Sequence, residues 1–230
     1  MTRSFGIVEE KVQESEFFLL KMIDKNCPFF AYRFYGSAFT SACRSITFAM
    51  QSSIKGADDF EKWYESKQKI LRNDHICRYF NEFRTISQHI GENPIRGGSS
   101  GPNRPTLYHF LSVPDLVKAP ELDVTACSEY YFKYILEIVY DSFLVFGPLI
   151  DGRQRYTKEN FSKLRKTIED AEEELGFPRG WTKVSGFSDE ARWKIIRKNV
   201  DGCNIEQQFI DWLDKDLTSV LPKDVFDRNY

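Results

Sequence analysis

Apolar residues along this chain recur mostly at three- and four-residue spacing, the pattern of helices with one buried face. The clearest case runs from Arg72 to Gly91. After Asn73 and Asp74, both good N-caps, a stripe of Ile76, Tyr79, Phe80, Phe83, Ile86 and Ile90 leads to a stop at Gly91 and Pro94. Upstream, the same periodicity predicts a helix over about 9–25 with Val12, Phe17, Leu19, Leu20 and Ile23 toward the core. A longer helix over about 29–53 carries Gly36, Ser37, Ala38, Ser41, Ala42 and Ser45, small residues that suit close helix–helix approach. A third, begun by Asp58 or Asp59, reaches Leu71 with Trp63 and Ile70 on one face.

Residues 91–105, GENPIRGGSSGPNRP, read as a flexible loop or a series of turns. The β-formers of Thr106 to Val113 then pair, on this reading, with residues near Leu116 to Val124 as a hairpin. Tyr131, Tyr134, Ile135, Ile138, Phe143 and Leu144 mark another long helix over about 125–146, ended by Gly147 and Pro148. Beyond residue 150 the chain turns strongly charged. One helix is expected from Thr157 or Lys158, with Phe161, Leu164, Ile168, Ala171 and Leu175 buried and its EDAEEE run a solvated face of i,i+4 pairs. A loop anchored by Trp181 and two helices, about 189–198 and 205–217, complete it. The expectation is an all-α fold: a helical domain over 1–150, with 91–124 as a loop and β-hairpin insertion, and a helical C-terminal extension over 151–230.

Composition adds three constraints. The 20 Phe and 11 Tyr place bulky rings in the core. A net charge of −2 excludes a broad basic surface, so contact with RNA has to come from a local patch. The five cysteines are scattered without CxxC or Cys/His spacing, which points to no metal site and no cofactor. Lys133, Glu137 and Asp141 interrupt the longest apolar stretch, so no membrane span is expected, and the start of the chain lacks a signal-peptide pattern. The expected location is the cytoplasm.

Candidate chemistry gathers on the 72–91 helix. Arg84 carries a permanently charged fork for phosphate oxygens, and His89 can exchange a proton near neutral pH. Together they suit metal-independent RNA cleavage. On an ideal helix, however, five residues separate them by about 140°. Asn81 and Ser87 are candidate supporting groups, and Arg96 and Arg104 are candidate extra cations. His75 reads as solvated or capping the start of its helix, His109 as structural, and Arg33 and Arg44 as partners of Glu16 or another helical acid.

The segments SEFFLLKM, FYGSAFTSACRSITFAM, FEKWYESKQKIL and FNEFRTISQHIG resemble the HEPN superfamily over roughly residues 9–147. The resemblance implies a four-to-five-helix bundle and a homodimer with the two Arg–His helices face to face. It also implies a toxin- or defence-related endoribonuclease that leaves a 2′,3′-cyclic phosphate, with Arg84 and His89 catalytic and an antitoxin or regulatory protein as partner. Thr85 stands where active members carry Asn, Asp or His, and Gly91 stands where a Tyr marks toxins modified by a nucleotidyltransferase. A non-catalytic dimerisation or nucleotide/RNA-binding module is the alternative.

Overall fold

The computed structural model describes residues 4–89, 91–101, 104–112 and 117–225. It is mainly helical with one small antiparallel sheet. The chain divides into two compact units, Met1–Ile138 and Val139–Tyr230. The first holds α1 (Gly6–Ile23), α2 (Phe29–Ile54), α3 (Phe60–Asn73), α4 (His75–His89), β1 (Ile95–Gly101), β2 (Arg104–Phe110) and the start of α5 (Val124–Ile150).

In α1 Val8, Val12, Ser15, Leu19 and Met22, again three and four apart, are buried together with Glu9. Val12 and Leu19 face the core as expected, but Phe17 and Leu20 are each 52% exposed and Ile23 is exposed as well. Two stripes fit the helical period, and the winning one runs through a serine. The Ser15 hydroxyl donates to the Lys11 carbonyl at 2.7 Å, so it enters the interior already hydrogen-bonded. Helix α2 answers with Tyr32, Gly36, Phe39, Cys43, Ile46 and Met50.

The core of this unit is built from rings. Phe80 stacks on Tyr131 at 4.7 Å with the planes 3° apart, and meets Phe39 and Phe110 edge-on at 6.0 and 5.9 Å. Asp74 starts α4: its carboxylate accepts the Cys77 N–H and the Tyr130 hydroxyl, each at 2.8 Å. Burial alone would push its pKa up, but these bonds outweigh burial and hold it below the ordinary value. Ile90, expected in the α4 stripe, lies outside the described residues.

Two expectations for the hairpin region need correction. The segment read as a loop is largely strand: β1 pairs with β2, Ile95 opposite Phe110 and Gly101 opposite Arg104. Both Ile95 and Phe110 are buried, and a Cβ on Gly36 would meet the Ile95 side chain at 2.5 Å, so tertiary packing overrides the weak β propensity of Gly97, Gly98 and Ser99. Residues 117–123 form no strand, and 113–116 lie outside the described residues. Ile70, read as sharing one face of α3 with Trp63, is 49% exposed.

The second unit holds the rest of α5, then α6 (Gly152–Arg155), α7 (Lys158–Lys163), α8 (Ile168–Glu174), α9 (Asp189–Lys198), α10 (Glu206–Leu213) and a 3₁₀ turn at Lys223–Val225. Helix α5 does not stop at Gly147–Pro148. The Asp151 N–H still donates to the Gly147 carbonyl at 2.8 Å. Pro148 withholds the N–H that would reach the carbonyl of Leu144, an exposed residue where water can serve instead. The single helix expected from residue 158 is in fact two. Arg165 adopts a left-handed φ of 56°, and Thr167 opens α8 with a capping box to Asp170. Leu164 is therefore exposed, while Phe161, Ile168 and Ala171 join Tyr156, Trp193 and Ile196 in a small core. The last helix ends at Leu213, four residues early, where Asp214 also turns left-handed. Trp181, expected as an anchor, is 42% exposed and stacks on Phe177 at 4.0 Å.

The acidic run on α8 makes no i,i+4 pair among the described residues, and although Glu173 and Glu174 are exposed, not all of the run is solvated. Glu172 is fully buried and accepts the Thr182 N–H at 2.8 Å, the Gly180 N–H, the Thr182 hydroxyl and the Arg192 guanidinium. Glu169 shares Arg192 at 2.8 Å, and Asp170 and Glu173 share Arg179. Glu174 meets Arg155 and Lys166. Each acid is thus matched to a cation from another turn of chain.

Two predictions follow from these cores. Phe80→Ala removes the central ring of the first unit and should cost about 3–5 kcal/mol in a denaturant titration. The second concerns acid. Burial raises the Glu172 carboxyl, but its hydrogen bonds from Thr182, Gly180 and Arg192 outweigh this and hold it below the ordinary carboxylate range. Asp170, bonded by Thr167 and Arg179, falls to about 2. Depressed carboxylates stabilise the fold above their unfolded value, about 4.3 for Glu, and that stability is lost as pH falls through the folded value. Circular dichroism should therefore show stability falling from about pH 4 toward pH 2. Glu172→Gln should lower stability at pH 7 and flatten that acid limb.

Candidate functional site

Four helices of the first unit each present residues about one turn apart to a common cleft of about 290 Å³. Helix α2 gives Arg44 and Thr47, α3 gives Tyr64, Gln68 and Arg72, α4 gives Cys77, Arg78 and Asn81, and α5 gives Tyr131 and Ile135. The floor is core: Tyr64, Cys77, Tyr131 and Ile135 are all buried. Three guanidiniums line the rim, and no carboxylate does.

The arginines are held without being neutralised. Arg44, half-buried, donates to the Thr47 hydroxyl at 3.1 Å and lies 4.4 Å from the Phe48 ring centroid. Its guanidinium is engaged by Thr47 and Phe48 in place of the expected Glu16 or another helical acid, and the positions a turn away on its own helix, Thr40, Ser41, Thr47 and Phe48, are uncharged. Arg72 donates to the Gln68 amide oxygen at 3.0 Å. Arg78 has an acid four residues away on either side, but both are engaged elsewhere. Asp74 caps its own helix, and Glu82 accepts the Val117 N–H at 2.8 Å. Gln51 braces the wall by donating to the Tyr64 hydroxyl at 2.9 Å.

The floor is electrically quiet. Burial, reinforced by Asp74, pushes the Cys77 thiol far up, and burial keeps the Tyr131 phenol protonated. Neither supplies an anion or a nucleophile at neutral pH. The cleft offers fixed positive charge, neutral amide donors on Gln68 and Asn81, and an apolar floor. That combination suits a phosphate-bearing ligand, since a guanidinium fork matches phosphate oxygens and gains strength where water is partly excluded.

Of the sequence candidates, Asn81 lies in this cleft, exposed on α4. Arg84 is half-buried one turn further along the helix, and Ser87 donates to the Arg84 carbonyl at 3.2 Å. His89 is exposed at the end of the helix, and neither Arg84 nor His89 lines the arginine cleft. Arg96 pairs with Glu92 at 3.7 Å and donates to the Asn93 carbonyl at 3.3 Å. Arg104 takes its place in β2, and its side chain lies outside the described residues. His75, expected to be solvated or to cap its helix, instead bonds through its ring to the Lys118 carbonyl at 2.8 Å, 43 residues along the chain.

Sequence reasoning missed Arg72 and Arg78 because three cations on three helices form no linear motif. One signal was present: Arg44 has no acid within a turn in either direction. Among the described residues no group of three His, Cys, Asp or Glu gathers to hold a metal. No helix among them is long and apolar enough to cross a membrane. No family model, curated protein or solved structure matches the chain.

Proposed function

We propose that this chain is a helical binding module for a nucleotide-sized phosphate ligand, held in the cleft of Arg44, Arg72 and Arg78. The observation that carries this reading is the gathering of three guanidiniums in one cleft that no carboxylate lines. Its volume, about 290 Å³, falls near the lower bound of small-molecule sites, roughly 300–1,000 Å³. That size favours a single nucleotide over a length of strand. The reading corresponds to the non-catalytic, nucleotide-binding form of a HEPN-like bundle. Calorimetry with adenosine 5′-monophosphate, inorganic phosphate and adenosine tests it. The phosphate-bearing ligands should bind and adenosine should not. Arg72→Ala and Arg78→Ala should each weaken binding about 10- to 100-fold, as loss of a charged hydrogen bond worth roughly 1.5–3 kcal/mol does. Equal affinity for adenosine and its monophosphate, or indifference to both substitutions, would rule the site out.

A second reading keeps Arg84 and His89 as a metal-independent endoribonuclease acting across a dimer. What favours it is a groove of about 390 Å³ lined by Ser37, Ala38, Ser41, Ser45 and Gln88. The small residues of α2 thus lie beside the neighbour of His89, with the exposed Phe34 at the edge. A second copy seated there would bring His89 of one protomer toward Arg84 of the other. On this reading the protein is dimeric by light scattering and cleaves RNA in EDTA to 2′,3′-cyclic ends. His89→Ala should slow cleavage about 10²- to 10⁴-fold, the usual contribution of a general acid–base. Cleavage that survives this change, or that chelation abolishes, excludes the mechanism.

A further inference from the structure

The largest of the three clefts described in the first unit has the opposite chemistry. It occupies about 730 Å³ and is lined by the end of α1, the turn that follows, β2 and the first turns of α5. Three carboxylates reach it, from Asp24, Asp123 and Glu129, against one ammonium, from Lys25. Its wall carries a short aromatic stack: the Tyr32 and Tyr108 centroids are 3.9 Å apart, and Phe29 stacks on Tyr108 at 5.5 Å. Apolar surface from Met22, Ile23 and Leu107 completes the lining.

The three carboxylates are not equivalent. Asp123 caps α5, accepting the Thr125 and Ala126 N–H groups at 2.9 and 3.2 Å. Asp24 accepts the Asn26 N–H at 2.9 Å. Glu129 forms no hydrogen bond or ion pair among the described residues and stands half-buried in the cleft lining. The local field is negative. Burial lifts the Cys27 thiol and the Tyr32 phenol, and the charges of Asp24 and Asp123 respectively lift them further. Tyr32 also shares a hydrogen bond with the Thr125 hydroxyl at 2.8 Å, which fixes its ring against the wall.

We propose that this cleft binds an organic cation, an alkylammonium or guanidinium head on an apolar stem, with Glu129 and Asp24 facing the charge and Tyr108 offering its ring. A bare metal ion fits less well. The space is far larger than one ion, and among the described residues no three acids are gathered closely enough to chelate one. An extended cation uses all three parts of the lining at once. Its head meets carboxylates and the negative face of a tyrosine ring, and its stem covers Ile23 and Leu107. The inference stands apart from the arginine cleft and does not depend on it.

The same chemistry arises from a free polyamine or from a basic side chain of a peptide, and calorimetry on the full chain separates the two. One arm titrates spermidine, the other N-acetyl-lysine amide and N-acetyl-arginine amide. Tighter binding of spermidine identifies a polyamine site, and tighter binding of either amide identifies a peptide side chain; both support the cleft. Glu129→Gln should weaken the preferred probe at least 10-fold. Asp24→Asn, whose amide oxygen still accepts the Asn26 N–H, should also weaken it. Tyr108→Leu should cost roughly 2- to 5-fold, the size of an exposed cation–π contact. Thermal melts of the variants should match the parent, and a variant that melts early is replaced by the other two as the readout. The proposal fails if no probe binds at millimolar concentration. It fails equally if the folded variants bind like the parent, or if equimolar magnesium displaces the probe as well as excess probe does.

Discussion

Stacking of Phe80 on Tyr131 is the contact on which the first unit depends, because it ties α4 to α5, two of the four helices that line the arginine cleft. Phe80 brings α4 with it, and with α4 come Arg78 and Asn81. Tyr131 brings α5, whose next turn adds Ile135 to the same floor. Phe39 closes on Phe80 from α2 and Phe110 from β2, so four elements meet at one ring. The polar side chains can then collect at the edges, where water or a ligand satisfies them.

The charge pattern follows from what each acid is doing. Overall the chain is slightly acidic, at −2, yet its arginine cleft is locally cationic. The reason is that nearby carboxylates are spent on backbone donors: Asp74 on the start of α4, and Glu82 on the Val117 N–H. In the second unit the opposite holds. There the acids of α8 bind arginines directly, and Glu172 and Arg192 are both buried in that network. One composition thus yields free cations in one unit and paired ones in the other, a difference that net charge cannot report.

Much of the helical architecture was legible because apolar periodicity sets it directly. Helix α9 begins and ends where the sequence places it, and α2 and α4 differ by only a few residues. The hairpin was not legible, since Gly97, Gly98 and Ser99 have no β preference of their own and are held by the buried pair Ile95 and Phe110. The break between α7 and α8 hid behind a stripe that continues in register across it. Only the left-handed Arg165 and the Thr167 cap reveal the interruption. Asn81 was reachable from the α4 pattern. Arg72 and Arg78 were not, because their nearness to Arg44 exists only after three helices have packed.

Tyr131 has two duties, and they are coupled. Its ring is a layer of the core, and its edge is part of the surface that a ligand would touch. Any occupant of the cleft therefore rests on the same ring that holds α4 to α5, and binding adds to folding stability by mass action. The reverse also holds: a substitution that loosens the rings, however far from the arginines, blurs the spacing among them. The cleft cannot drift toward a new ligand by changing its floor, because the floor is shared with the fold. Only its rim is free to vary, which leaves specificity to the side chains at the edge and affinity to the packing beneath.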